Sequence, residues 1–228
     1  MKLQQKNQQG KVVNRSSAGP LYSIGLTGNI ATGKSTILAY LAEKGACVLD
    51  ADKAAHAAMA PDGPAHDKVI AEFGSEILTD ANEIDRGRLG DIVFHDAEAL
   101  KRLEEIVHPA TFELLRWKIL DSPADVVILE AIKLLESGRL VNLSDEVWVV
   151  TSRPQVQLRR LMERRGMSEE DARARMAAQP SEAGKVAMAD VVIENNGDLP
   201  MLYARLDKLW SDILVKVEER RAMRDERA

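Results

Sequence analysis

Residues 28–36 read Gly-Asn-Ile-Ala-Thr-Gly-Lys-Ser-Thr, between an apolar run at Tyr22–Thr27 and a helix-compatible run from Ile37 to Leu41. Two glycines separated by four residues, followed directly by Lys34 and Ser35, have the spacing of a phosphate-binding loop between a strand and a helix. Glycine lets the backbone curl so that successive N–H groups face inward, and the helix that follows presents free N–H groups and the positive end of its dipole to an anion. Lys34 is then placed to reach the β- and γ-phosphates of a nucleoside triphosphate, and the Ser35 hydroxyl to ligate Mg²⁺. The candidate ATP-binding residues are Gly28, Asn29, Ile30, Ala31, Thr32, Gly33, Lys34, Ser35 and Thr36. The plain alternative is a glycine-rich turn leading into a surface helix.

Such a loop sits at the carboxyl end of a strand in a parallel sheet, and the remaining pattern agrees. Short apolar segments at Tyr22–Thr27, Cys47–Leu49, Val126–Leu129, Val147–Val150 and Val191–Ile193 alternate with helical periodicity. This predicts an α/β fold in which a five-stranded parallel sheet is covered by helices. The length of 228 residues suits one such domain carrying an insertion. We expect a disordered tail over 1–20, one domain over 21–215 and a charged tail over 216–228. Within the domain, core segments are expected at about 21–52, 123–151 and 186–215, with a helical insertion at about 53–122 and a helical hairpin at about 152–185. In the hairpin, Ser168 followed by Asp171 forms a capping box after a first helix that ends at Gly166.

No apolar run approaches the length of a membrane span, and the first twenty residues lack the apolar stretch of a signal peptide. Cys47 is the only cysteine, so an intrachain disulfide is excluded, and its Ala46 and Val48 neighbours make it a buried filler in a strand. The expected compartment is the cytoplasm. A net charge of −5 argues against broad nucleic-acid binding, and the expected form is a monomer without nucleic-acid or membrane partners.

The second strand ends in Asp50-Ala51-Asp52, which would face the loop after the first strand if the two strands are neighbours. Carboxylates one residue apart point differently, so one can address Mg²⁺ or its waters and the other a substrate hydroxyl. Either would also serve as the N-cap of a helix starting at Lys53.

These features resemble the dephospho-CoA kinase family. The resemblance runs through Leu26–Ser35, Asp50-Ala51-Asp52, Phe73-Gly74, Asp85-Arg86 with Leu89, Val93-Phe94 and His108-Pro109. It continues through Gln157, Arg160, Arg164, Arg175, Gln179, Lys185 and Ala189–Ile193 with Asn195 and Gly197, covering about residues 22–212. It implies ATP-dependent phosphorylation of the ribose 3′-hydroxyl of dephospho-CoA, with Mg²⁺, by a kinase domain of P-loop kinase-like three-layer fold: a nucleotide core flanked by a helical CoA or substrate region, the insertion at about 53–122, and a mobile helical lid at about 152–185. Asp52 takes the place of the base, with Asp50 also on the substrate side. Arg160 and Arg164, four apart on one helix face, suit lid cations that neutralise the transferred phosphoryl; a solvated, salt-bridged helix would look the same. Arg159 and Arg165 are expected to face water. His108, before a proline and hence at the entry to a helix, is either a substrate contact or a structural hydrogen bond. By resemblance Asn195 and Gly197 border the adenine, and a plain turn is the alternative.

After the third strand the chain departs from the family. Where the family has an acidic residue, a small spacer and Pro-Leu-Leu, this chain reads Glu130-Ala131-Ile132-Lys133-Leu134. Glu130 still suits a carboxylate near Mg²⁺. Lys133 is either a surface lysine or an ionic contact to the acceptor's pyrophosphate. Among rival readings, other small-molecule kinases share the loop, base and lid, and a nucleotide-binding module without turnover shares the loop. A regulatory GTPase would need a guanine-reading Asn/Thr-Lys-x-Asp motif, which is absent.

Overall fold

The computed structural model describes residues 19–135 and 138–226. Most of the expected disordered tail, residues 1–18, lies outside them; Gly19 and Pro20 are half-buried, and the Gly19 carbonyl accepts from Arg224 at 3.2 Å.

Five strands, β1 (Tyr22–Thr27), β2 (Cys47–Asp50), β3 (Val126–Glu130), β4 (Glu146–Thr151) and β5 (Val191–Glu194), form one parallel sheet in the order β2-β3-β1-β4-β5. β3 therefore separates β1 from β2, so the two are near but not adjacent. Register sets the consequence: Asp50 pairs with Glu130, and Glu130 with Leu26, so both acids stand at the carboxyl edge beside the phosphate loop. Glu130, rather than Asp50, is the acid next to β1.

The pleat sends alternate residues to opposite faces. Ile24, Leu26, Ile128, Trp148 and Val150 pack with Ile37 and Leu41 of α1 (Lys34–Glu43) and with Leu202, Leu206, Trp210, Ile213 and Val217 of α9 (Leu199–Asp225). On the other face Leu129, Val147 and Val149 pack against Ala51 and Ala54 of α2 (Ala51–Ala58) and Leu115 of α5 (Ala97–Asp121). Cys47 is only half-buried, because β2 is an edge strand, and so is not the fully buried filler expected of it.

Between β2 and β3 the chain is mainly helical: α2, α3 (His66–Phe73), α4 (Arg86–His95) and α5 enclose a separate apolar cluster built on Val69, Phe73, Ile77, Leu89 and Val107. His108 and Pro109 fall in the middle of α5, not at a helix entry. Proline removes one backbone hydrogen bond and strains the turn before it, at a cost of about 3 kcal/mol. The buried stripe Val107, Thr111, Leu115 and Ile119 outweighs it: before the proline Val107 packs in the α3–α4 cluster, and after it Leu115 packs against the sheet and α2. After β4, α6 (Pro154–Arg165) ends at Gly166 in the left-handed conformation, φ 63°. The Ser168 side chain caps α7 (Glu169–Ala177), as the capping-box spacing predicts, and α8 (Glu182–Val186) leads to β5.

The expected charged tail is instead the last turns of α9. Val217 is 1% exposed, Lys216 pairs with Glu146, Arg221 meets Asp125 at 2.7 Å and Arg220 donates to the Leu21 carbonyl at 2.9 Å. These charges belong to the outer face of a helix whose inner face still packs on the sheet. A chain ending at Val215 should therefore lose about 3 kcal/mol, chiefly from Val217 and the ion-paired helix end, and melt about 6–12 °C lower. Thermal unfolding checks this, and an unchanged Tm would restore the tail to a passive role.

Candidate active site

The loop between β1 and α1 takes the shape its glycines allow. Gly28 has φ 151° and Gly33 φ 98°, and a Cβ at either would lie 2.3 Å from the Val150 carbonyl oxygen or 2.2 Å from the Asn195 amide nitrogen. Close approach of neighbouring segments, as well as backbone angle, forces glycine at both positions. Ala31 is left-handed too, φ 59°, and this alternation of backbone handedness builds an anion-binding concavity.

That strained shape is held from behind. Arg160, on α6, donates through Nη1 to the carbonyls of Ala31 and Thr32, both at 3.2 Å, and to Ser152 Oγ at 3.0 Å. Through Nη2 it reaches the Asn195 carbonyl at 3.0 Å and its Oδ1 at 3.2 Å. Asn195, buried, donates its side-chain amide to the Thr32 carbonyl at 2.8 Å, and Ser152 Oγ bridges Asn195 O and Thr32 O. Burial pushes the Arg160 pKa down, although the group stays cationic at any ordinary pH. With those carbonyls tied outward, and the Ile30 and Thr32 amides taken by Gln179 Oε1 and the Asn29 carbonyl, the amides at the start of α1 are the ones left to meet an anion. Asn195 thus fastens the loop with its side chain, while Gly197 is exposed in the turn beyond it.

The cavity in front of the loop measures about 490 Å³; Lys34, Ser35, Glu130, Arg164, Arg165 and Gln179 are in its wall. Lys34 folds back to donate to the Gly28 carbonyl at 2.8 Å and stands 3.8 Å from Glu130. Burial lowers the Lys34 pKa and raises that of Glu130, because loss of water outweighs their attraction at this distance. Arg165 is exposed, as expected, and also borders this cavity. A second cavity of about 430 Å³ shares Ser35 and Glu130 and runs past Asp50 and Lys53 along the free edge of β2 to Lys118.

The two aspartates divide their work. Asp50 is the N-cap of α2, accepting from the Lys53 amide at 2.9 Å and pairing with its ammonium at 3.2 Å. Partial burial pushes its pKa up, but the Lys53 amide and ammonium outweigh that and hold it below the usual carboxylate range. Asp52 lies in the first turn of α2, not at the strand end, and is exposed; its charge still acts on both Lys34 and Glu130. Asp52 is therefore the carboxylate free to meet a hydroxyl beside the loop.

His108, exposed on α5, Lys133, exposed in the turn after β3, and Gly197 line neither cavity, and nor does Asp52, exposed on α2. Gly28, Asn29 and Asn195 also stay out of the cavity walls and act on the shape of the loop. The departure at Ile132 leaves a tether intact: its carbonyl accepts from Thr27 Oγ1 at 3.1 Å and from the buried Lys185 ammonium at 2.9 Å. A proline there would offer the same carbonyl. Gln179 and Lys185 enter the sequence reading only as matched motif positions. Here the Gln179 side-chain carbonyl accepts from the Ile30 amide at 3.3 Å, and Asn29 donates to the Pro180 carbonyl at 3.1 Å, so α7 and α8 are joined to the loop.

A family model described as dephospho-CoA kinase matches residues 22–201. The chain belongs to the dephospho-CoA kinase family. It is similar to the dephospho-CoA kinase of Geobacillus kaustophilus, 47% identical over 178 residues that cover 77% of this chain and 88% of the relative. The dephospho-CoA kinase of Streptomyces avermitilis is 39% identical over 199 residues, 87% of this chain and 97% of the relative. Among solved structures, dephospho-CoA kinase from Campylobacter jejuni superposes with a TM-score of 0.64 at 31% identity, covering 84% of this chain and 96% of that one. The family match takes in the loop, both aspartates, Glu130, Arg160 and Arg164.

Arg160 and Arg164, alike in sequence, differ in this dephospho-CoA kinase fold. Both line the cavity, but Arg160 is fastened to backbone carbonyls, whereas among the described residues Arg164 makes no ion pair. Arg160→Ala should lower Tm and raise KM for ATP, because the loop loses its support. Arg164→Ala should keep Tm and lower kcat, by up to roughly 10³-fold if its charge meets the transferred phosphoryl. Melting curves and steady-state kinetics on both variants check this; identical behaviour would refute the division.

Proposed function

We propose that the chain transfers the γ-phosphoryl of ATP to the ribose 3′-hydroxyl of dephospho-CoA, giving CoA and ADP, the last step of CoA synthesis. The observation that carries this reading is the preformed phosphate loop whose cavity holds Lys34, Ser35, Glu130 and Arg164, with the exposed Asp52 carboxylate in the first turn of α2. The loop amides and the positive end of α1 cradle the phosphates, and Lys34 leaves the Gly28 carbonyl for the β- and γ-phosphates. Asp52 accepts the proton of the 3′-hydroxyl as its oxygen bonds to the γ-phosphorus and the bond to the β-phosphate bridging oxygen breaks. Arg164 and Arg165 supply charge to the phosphoryl in flight.

The donor set suits Mg²⁺, which is usually held by one or two protein groups together with phosphates and water. Ser35 and Glu130 open on both cavities, and no group of three or more metal-ligating acids, histidines or cysteines occurs among the described residues. Mg²⁺ so held would neutralise charge on the β- and γ-phosphates. In this reading α2–α5 form the acceptor domain and α6–α8 the mobile lid, with the adenine beyond the Asn195 turn. No described helix is long and apolar enough to cross a membrane, and the expected form is a cytoplasmic monomer.

An ADP-release assay with MgATP and dephospho-CoA, AMP, adenosine or shikimate tests the assignment. Turnover should be greatest with dephospho-CoA, and Asp52→Asn should lower kcat by roughly 10²–10⁴ with little effect on ATP binding. Activity confined to another acceptor would overturn the function, and a silent Asp52→Asn would overturn the base.

A further inference from the structure

Ala51, Ala54 and Ala58 turn one side of α2 into the core, which leaves Asp52 and His56, one turn apart, on its exposed side. His56 does not stand alone. Arg86, the first residue of α4, brings its Nη1 to 3.4 Å from His56 Nδ1. The start of α4 is held in place: the Asp85 side chain accepts from the Gly87 amide at 2.8 Å and the Arg88 amide at 3.2 Å.

Charge pairing sets Arg86 apart from its neighbours. Arg88 donates to the carbonyls of Glu76 and Leu78 and pairs with Asp85, Arg102 pairs with Glu72 at 2.6 Å, and Arg116 with Glu113 at 3.4 Å. Among the described residues Arg86 makes no ion pair with a carboxylate; its recorded partner is an imidazole nitrogen, which can accept only while it carries no proton. Such a contact orients the guanidinium without neutralising it and leaves most of its N–H groups open. A planar cation held in this way is suited to bidentate recognition of a phosphate.

The acceptor supplies such an anion. In dephospho-CoA the pyrophosphate hangs from the 5′-carbon, which is bonded to the ring carbon next to the one bearing the 3′-hydroxyl. A ribose that offers its 3′-hydroxyl to Asp52 must carry its pyrophosphate close by, and one helical turn from Asp52 to His56 spans about 5.4 Å. We propose that Arg86, oriented by His56, binds the 5′-pyrophosphate of dephospho-CoA and so presents the 3′-hydroxyl to Asp52. This rests on the acceptor proposed above and adds the group that selects a nucleotide whose 5′-carbon bears a pyrophosphate. It also moves that role from Lys133 to Arg86; neither lines the two cavities, and what favours Arg86 is its contact with His56, one helical turn from Asp52 on the exposed side of α2.

The test is steady-state kinetics of the full chain with MgATP and dephospho-CoA, at low and high salt, for the wild type, Arg86→Ala, Arg86→Lys and Lys133→Leu. Arg86→Ala should raise KM for dephospho-CoA about tenfold to hundredfold, the loss of a charge-assisted contact, while KM for ATP moves less than about twofold. Its acceptor KM should also depend less on salt than that of the wild type. Arg86→Lys, which keeps the charge and loses the fork, should recover part of the loss. An unchanged acceptor KM in Arg86→Ala would overturn the proposal. So would a parallel rise in both KM values with a lower Tm, or a rise of the acceptor KM in Lys133→Leu alone. A wild type that does not phosphorylate dephospho-CoA would instead overturn the function proposed above.

Discussion

A guanidinium behind the phosphate loop is the contact on which the site depends. The backbone of residues 28–33 is drawn into left-handed turns at Gly28, Ala31 and Gly33, a conformation that a free chain would populate poorly. Arg160 and Asn195 take the carbonyls turned away from the cavity, and the sheet presses on Gly28 from Val150. Because those acceptors are satisfied, the loop keeps its concave side for an anion before any anion arrives. Preorganisation of this kind spares the reorganisation that weakens electrostatic stabilisation in water.

The same residue couples parts of the chain that lie far apart in sequence. Arg160 is on α6, its partners lie after β1, β4 and β5, and Gln179 and Pro180 add contacts from beyond α7. Movement of α6–α8 must therefore either carry these bonds along or break them. The acceptor side is tied differently: the Ile132 carbonyl joins β1 to α8 through Thr27 and Lys185, and Asp50 caps the helix that displays Asp52. Donor and acceptor groups thus meet at one sheet edge, each held by its own contacts.

Residues whose chemistry depends on local spacing were legible. The glycine spacing marks the loop, the alternation of apolar runs marks five parallel strands, and Ser168 with Asp171 marks the start of α7. What sequence spacing does not carry is which side of an element meets the protein. Arg160 and Arg164 are the same residue type four apart, and only the backbone behind the loop distinguishes the anchor from the free cation. Pro109 reads as a helix boundary because local sterics favour one, yet the buried stripe on both sides of it holds α5 together. The last turns of α9 read as a tail because charge hides Val217, and the insertion of β3 between β1 and β2 follows from a crossover that no local pattern encodes. The aspartate pair was legible as a pair, and its division into cap and free carboxylate needed the position of Lys53.

The central claim is that the loop is built before nucleotide binds, and that Arg160 keeps it so. Amide hydrogen exchange in the ligand-free protein measures this at Ile30 and Thr32, whose amides bond Gln179 Oε1 and the Asn29 carbonyl. The account predicts slow exchange at both in the wild type without nucleotide, and clearly faster exchange in Arg160→Ala under conditions where the sheet amides of β1 remain protected. Equal, fast exchange in the two proteins, with protection appearing only when ATP is added, would contradict it.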